Sequence, residues 1–503
     1  MKNADSLTFL MIFDHVRADI LYNLIQTNQM PYLKKYIFDR AATVENCFTS
    51  FPTNTIPGHL AILTGCYADK HHVPAMKFWN LSQMTFRDYS GLDIFNLLQD
   101  EYNEKIPMIY EFFSKSEAFT ASSFAKGANF TYLNKMRMIF FYILQMAIGY
   151  KTILIHSLKT FLRHFKKNIS GGIFVLWLPI SDLIGHNKGP TSPEFIQHLV
   201  EIDQMLFRIL FEGYKGWEGL NKLGLSESSY FIITADHGGF PVRMKSELIK
   251  DLKLLPLQIK HKQASLQSLN KCDLLIAYTD GFGILYVKNP LTKNWQDKVE
   301  YPQLLAYPTP NNSVNLINYL LKIPTISHVF VKRKDLSSLS YMVFSSEGTS
   351  QIQRKIADHA RLISYQVLSD KDPLGYLNNP KMDNLIDGAF HSFTEWSAVL
   401  PETNYPTLVD QIPRLFDCET MGDVLFMGKE GASFTAKEKG GTHDTGVFIC
   451  SRVPLIIAGP SIKHGTIATA RTVDIVPTLL SLLKKPVDFS EFDGRVLSEM
   501  VQK

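Results

Sequence analysis

Cysteine is scarce and shows no pairing pattern. The five residues, Cys47, Cys66, Cys272, Cys418 and Cys450, are odd in number, scattered, and form no Cys-x-x-Cys pair. That argues against a disulfide framework, and none of the five is a convincing metal ligand. Each cysteine reads as a small buried hydrophobe, and the set favours a reducing, cytoplasmic setting. No leader is expected either. Asp5 and Asp14 bracket the short apolar run Leu7–Phe13, and no small-residue cleavage site follows it. The run therefore predicts a first strand rather than a signal peptide, with leaderless secretion as the alternative. Charge of one sign is weak: a net +4 over 503 residues does not argue for a nucleic-acid polymer as partner. No uninterrupted apolar run reaches the roughly 20 residues of a membrane span, and no internal repeat or low-complexity tract is present.

What is there is the composition of a globular protein, 45% hydrophobic and 20% charged. The length exceeds what one core usually organises, so one large domain with insertions, or two domains, is expected. Four short apolar runs, Leu7–Phe13, Ile173–Leu178, Tyr230–Ile233 and Val453–Ala458, are continuous rather than alternating. Such runs suit strands buried on both faces of a parallel sheet. Amphipathic helical stretches lie between them. The clearest is Pro193–Tyr214, with Ser192 as N-cap and Pro193 at the first helical position. The expectation is an α/β protein with a doubly wound, mostly parallel sheet and helices on both faces.

Two stretches break the alternation. Between Ala118 and Ser181 there are eight Lys or Arg and no Asp or Glu, around the apolar run Met138–Gly149. The second stretch, 252–437, has strand candidates of its own at Phe282–Val287, His328–Val331 and Tyr341–Ser345. The expected organisation is thus a catalytic core in three parts (1–117, 171–251 and 438–503), a basic apolar helical insertion or lid (118–170), and a smaller cap region (252–437). Residues 135–167 mix apolar and basic side chains, which predicts a helical lid over the site or an interfacial segment touching an anionic membrane.

Ligands of open α/β sheets gather at the carboxyl ends of the strands. The acids and histidines of this chain fall there. Asp14 follows the first run, Asp182 and His186 follow the second, Asp236 and His237 the third, and Gly440-Gly-Thr-His443 precedes the last. Asp182 and His186 share a face if their turn is helical, and Asp236 and His237 converge only at a strand end. Mixed carboxylate and imidazole donors suit Zn²⁺ or a similar transition metal, with Mn²⁺ compatible. A nucleophile candidate is Thr55 in Phe51-Pro-Thr-Asn-Thr55-Ile-Pro-Gly-His59. It is expected at a helix N-cap, where backbone N–H groups and the dipole face a phosphate. An alcohol needs metal or base to become nucleophilic, and two ions would stabilise both attacking and leaving oxygens.

The ordered set Asp14, Pro52-Thr-Asn-Thr55-Ile-Pro, Asp182-x-x-Gly-His186-x-x-Gly-Pro190, Asp236-His237-Gly-Gly and Gly-Thr-His443 resembles the alkaline phosphatase superfamily. The nearest branch is the nucleotide pyrophosphatase/phosphodiesterase type. The resemblance implies an alkaline-phosphatase-like fold and two divalent ions, most simply zinc. It implies one ion held by Asp182, His186 and His443, the other by Asp14, Asp236, His237 and the Thr55 oxygen. It further implies hydrolysis of a small phosphodiester or nucleotide-like substrate through a phospho-threonine intermediate. Phosphomonoesterase or head-group phosphotransferase activity on lipid-like substrates, and a catalytically dead binding module, are the rivals. The Cys-x-Pro-x-Arg pattern of sulfatases is lacking. Two departures stand out. Met76 occupies the position where the branch often carries an Asn donor to the phosphoryl oxygen, with Asn80 or another donor as the substitute substrate-binding residue. Asp444 follows His443 where Gly is common, as a turn former or as a partner to the histidine.

Overall fold

The structure, a computed structural model, describes residues 6–131, 147–165, 171–334, 339–357 and 360–502. Nine strands among them form the sheet that carries the site: β1 (Leu7–Phe13), β2 (Ala42–Phe48), β3 (Ala118–Ala121), β4 (Asn129–Phe130), β5 (Gly172–Leu178), β6 (Tyr230–Ala235), β7 (Arg452–Val453), β8 (Leu455–Ala458) and β9 (Gly465–Arg471). Their order is β7–β2–β8–β6–β1–β5–β3–β4, with β9 also paired to β2. β1 runs parallel to both β5 and β6, and Phe13 lies level with Leu178 on one side and Ala235 on the other. That register brings the chain segments leaving all three strands to one edge of the sheet. The apolar runs are buried end to end because helices cover both faces.

The sheet is mixed rather than wholly parallel. The run Val453–Ala458 divides into β7 and β8, and both pair antiparallel with β2, as β8 does with β6. Pro454, which has no N–H to give to a ladder, stands at the break. The predicted helix Pro193–Tyr214 starts as expected, with the Ser192 hydroxyl accepting from the Phe195 N–H at 3.2 Å. It passes through a π-turn at Asp203–Phe207 before resuming over Arg208–Glu212. There the buried Asp203 carboxylate accepts from the backbone N–H groups of Tyr32 and Leu33, at 3.1 and 2.7 Å, and so serves the start of the neighbouring helix Pro31–Tyr36.

The stretch expected as an insertion from residue 118 contributes β3 and β4 to the core sheet. Its helix Ala147–Phe165 packs Phe161 on Phe9 and Phe174, with ring centroids 5.4 and 4.9 Å apart, and so covers the sheet rather than the site. Residues 132–146 and 166–170, which include most of the apolar run, lie outside the described residues. Among the described residues no helix is long and apolar enough to cross a membrane.

Residues 259–428 build a second nine-stranded sheet, reached by strands at Leu274–Tyr278, Phe282–Val287, Ile326–Lys334, Leu339–Ser345, Thr349–Ala357, Ala360–Val367 and Val424–Gly428, with short edge strands at either side. Along its strands alternate residues point to opposite faces. Leu275, Ala277, Ile284 and Tyr286 join the main core, whereas Leu274, Ile276, Leu285 and Val287 form a separate cluster beyond. Three helices matter for the site: α1 (Thr55–Thr64), α2 (Ile180–Lys188) and α3 (Leu408–Asp417).

Candidate active site

Asp14 and Asp236 follow the last residues of β1 and β6, and the level register sets their side chains together. Both are buried. Each divides its carboxylate in the same way. Asp14 Oδ2 accepts from the Trp177 indole at 2.8 Å, whereas its Oδ1 has no hydrogen-bond partner. Asp236 Oδ1 accepts from the backbone N–H groups of His237 (2.8 Å) and His15 (3.3 Å), and its Oδ2 has no partner. His237 Nδ1 lies 3.1 Å from its neighbour's carbonyl at Gly238, which directs the bare Nε2 inward. That nitrogen lies 3.4 Å from Asp14 Oδ1 and 3.6 Å from Asp236 Oδ2. Three buried donor atoms without partners, gathered at one point, are what a cation needs.

A second group stands beside the first. Asp182 occupies the first turn of α2 and His186 lies one turn on, so the helix brings both to one face. His443 arrives from the loop after the short strand Gly441–Thr442. The edges of the triangle are 3.3 Å (Asp182 Oδ1 to His186 Nε2), 3.6 Å (Asp182 Oδ1 to His443 Nε2) and 3.0 Å (between the two Nε2 atoms). Ligands about 2.0–2.1 Å from a tetrahedral ion are separated by about 3.3 Å, and the triangle has that size. The outer nitrogens are engaged: His186 Nδ1 is 3.1 Å from the Gly441 carbonyl, and His443 Nδ1 is 3.0 Å from the Thr53 carbonyl. Asp444, held at φ +77°, also reaches His443 Nδ1 at 2.9 Å. It is therefore both turn former and histidine partner.

The electrostatics report crowded negative charge. Burial, followed by the charges of Asp236 and Asp182, pushes the Asp14 carboxyl well above its ordinary range. Burial, then Asp182, raises Asp236 to about 8. Burial holds His237 well below the usual imidazole value, with His443 and His15 adding to it. Burial would raise Asp182 also, but His186, His15 and His443 outweigh it and hold the carboxyl well below its ordinary range. Burial opposes charge on His443, yet Asp444 foremost, and then Asp182, lift it well above the usual value. Cations placed among these carboxylates would remove the repulsion that raises them.

Thr55 opens the same cavity, about 820 Å³ in volume, which Asp14, Asp182, His186 and His443 also line. It is 6% exposed and is the first residue of α1. The cap residue is Asn54, in extended conformation, so Thr55 sits one position inside the expected N-cap. The shift follows from the backbone: Gly58 N–H already bonds to the Asn54 carbonyl at 3.1 Å, which closes the first turn there. Thr53 Oγ1 donates to the Thr445 carbonyl at 2.7 Å, tying the nucleophile loop to the His443 loop. All seven expected side chains thus assemble at one place.

Asn80 does not. Its amide donates to both oxygens of Glu101 at 3.2 and 2.9 Å, and its carbonyl accepts from Ser82 at 2.7 Å. It lies outside the cavity lining, whereas Met76 and Lys77 are within it. The reason is strand direction: the hairpin of Lys77–Asn80 with Thr85–Asp88 turns Asn80 toward Glu101. Sequence reasoning also passed over three residues at the acidic ligand candidates: His15 and Trp177, which hydrogen-bond to them, and His59, whose Nε2 lies 3.5 Å from Asp236 Oδ2. Only the position of His15, beside Asp14 at a strand end, signalled it.

Residues 8–301 match the family described as Type I phosphodiesterase / nucleotide pyrophosphatase. The chain belongs to this family. It is 26% identical over 231 residues to the bis(5'-adenosyl)-triphosphatase of Bos taurus, which covers 46% of each chain. It is 24% identical over 249 residues to GPI ethanolamine phosphate transferase 1 of Saccharomyces cerevisiae, covering 46% of this chain and 24% of that one. The chain therefore spans less than half the length of these curated relatives. A solved structure of human ectonucleotide pyrophosphatase / phosphodiesterase 5 superposes with a TM-score of 0.59 at 12% identity, covering 99% of this chain and 100% of that one. This phosphodiesterase-family chain accordingly has the alkaline-phosphatase-like α/β fold, and its family works on phosphoric ester bonds with metal ions.

Proposed function

We propose that the chain is a zinc-dependent phosphodiesterase or pyrophosphatase that hydrolyses small nucleotide-like diesters through a phospho-threonine intermediate. The observation that carries this reading is the pair of ligand triads, one of them made wholly of partnerless atoms, beside a threonine at a helix start. Asp182, His186 and His443 would hold one ion, and Asp14, Asp236 and His237 with the Thr55 oxygen the other. When bound, the ions supply Lewis-acid chemistry, easing ionisation of the threonine and offsetting charge on the phosphoryl oxygens. The residues do the rest. Thr55 Oγ attacks phosphorus, the bond to the leaving oxygen breaks, and that oxygen departs with a proton. Water then attacks phosphorus, the bond to Thr55 breaks, and the hydroxyl is restored. The first-turn N–H groups of α1 face the phosphoryl oxygens and stabilise their charge. Trp177 and the backbone of His15 and His237 hold Asp14 and Asp236 in place.

The test compares bis-p-nitrophenyl phosphate, p-nitrophenyl phosphate and a nucleotide panel, with zinc or manganese added. Thr55→Ala is expected to lower kcat by at least about 10³-fold. Full turnover by that variant would overturn the reading, and a clear preference for the monoester would overturn the diesterase assignment. The transferase among the relatives motivates a second reading, transfer of a phosphoryl-linked head group to an acceptor alcohol. Product analysis with added glycerol or ethanolamine separates the two, since hydrolysis leaves no phosphorylated acceptor. A reducing compartment belongs to the same proposal: the five cysteines are free and buried. Thiol titration of the denatured protein that returns fewer than five would contradict it.

A further inference from the structure

His15 reaches both ligand groups by hydrogen bond. Its backbone N–H donates to Asp236 Oδ1 at 3.3 Å, and its Nδ1 lies 2.8 Å from Asp182 Oδ1. The ring is fully buried and sits among three ligand histidines, with centroids 5.0 Å from His443, 5.3 Å from His186 and 5.5 Å from His237. The chain accepts two unfavourable features to keep it there. His15 has φ +64°, a left-handed conformation uncommon outside glycine, though histidine adopts it more readily than most residues. Two glycines also make room for the ring. A Cβ on Gly185 would lie 3.0 Å from Nδ1, and one on Gly239 would lie 1.9 Å from Nε2. Neither glycine has a positive φ, so space, and not backbone freedom, accounts for both.

We infer that His15 is a positioning residue that fixes the two metal sites relative to one another, donating from Nδ1 to the Asp182 carboxylate and from its backbone to Asp236. The 2.8 Å separation is that of a hydrogen bond and shorter than the edge of about 3.3 Å between two ligands of one tetrahedral ion. In this arrangement the ring acts through Asp182, with Nδ1 committed to the carboxylate and Nε2 left without a hydrogen-bond partner. Its N–H locks the carboxylate rotamer, so that Oδ1 stays at 3.3 Å from His186 Nε2 and 3.6 Å from His443 Nε2. Supporting partners of this kind change metal affinity by about 10–100-fold when removed. The inference rests on the zinc reading proposed above.

The experiment titrates the chelator-stripped full chain with Zn²⁺ by calorimetry against a competing chelator, and follows thermal unfolding of the apo forms. The wild type is expected to take up two ions. His15→Gly removes the donor and relieves the backbone. It should weaken one binding event by about 10–100-fold, leave the other unchanged, and leave apo stability equal or higher. His15→Asn places an amide nitrogen where Nδ1 stands and tolerates a positive φ, so it should restore both affinities. Should the glycine variant fail to fold, His15→Ala removes the same donor. Wild-type affinity at both sites in the donor-less variant would overturn the inference. Affinity in His15→Asn as weak as in His15→Gly would overturn it too, because the ring itself would then be the ligand. A wild type that binds no zinc would instead sink the zinc reading beneath it.

Discussion

Two carboxylates in the buried triad each commit one oxygen to the protein and leave the other bare. Asp14 is held by Trp177, and Asp236 by two backbone N–H groups. Such a division orients the bare oxygens before any ion arrives, and leaving them unpaired in a dry interior is costly. That the seven candidate residues gather was legible because acids and histidines recur just after the strands and Thr55 opens a helix beside them. In sequence the Asn80 amide could serve a phosphate or a neighbouring carboxylate equally well, and the hairpin's direction turns it to Glu101. Asn80→Ala is accordingly expected to lower stability by about 1–2 kcal/mol while KM stays unchanged, as read by urea unfolding and steady-state kinetics. A raised KM with unaltered stability would return Asn80 to the substrate.

At the scale of elements, α1 matters through how closely it approaches β6. A Cβ on Gly58 would lie 2.6 Å from the Asp236 carbonyl and 2.9 Å from the Asp236 Cβ, a clash with backbone that no side-chain movement relieves. The helix carrying Thr55 therefore rests directly on the turn carrying Asp236. Gly58→Ala is expected to push the two apart and lower kcat by about 10²-fold with the fold retained by circular dichroism. Activity equal to wild type would show that the approach has slack. α3 contributes from the other side. Its Gln411 accepts from the Phe51 N–H and donates to the Thr49 carbonyl at 3.2 Å, steadying the loop before Thr55. The strands were legible as continuous apolar runs, but their direction was not. Apolar content reports burial on both faces, whereas the antiparallel course of β7 and β8 depends on which end of the strand the preceding loop reaches.

Across the whole molecule, burial of histidines away from the site sets an acid limit to stability. His328 packs beneath Tyr405, with Nε2 2.6 Å from the Pro373 carbonyl and Nδ1 3.0 Å from Ser327 Oγ. Burial lowers it to about 4. The folded form thus releases a proton that the unfolded chain keeps up to about pH 6.5. The stabilisation from the neutral ring is present above pH 6.5 and is lost as pH falls toward 4, on the order of 3 kcal/mol in full. His328→Gln lacks this dependence. Its urea midpoint should fall less steeply than that of the wild type between pH 6.5 and 4.5, and parallel profiles would refute the assignment. His71, lowered to about 3 by burial, acts in the same direction.

The chain by itself determined the chemistry on offer: an α/β core, seven candidate ligand and nucleophile side chains in order, and the family they belong to. Residue type and spacing carry that information because strand ends in such sheets recur at readable intervals. Tertiary structure alone decided which donor atoms are left without partners, that β3 and β4 join the core sheet, and that His15 hydrogen-bonds to both candidate ligand groups. Those outcomes depend on register, rotamer and close approach between segments hundreds of residues apart, and such contacts leave no periodic mark in the sequence.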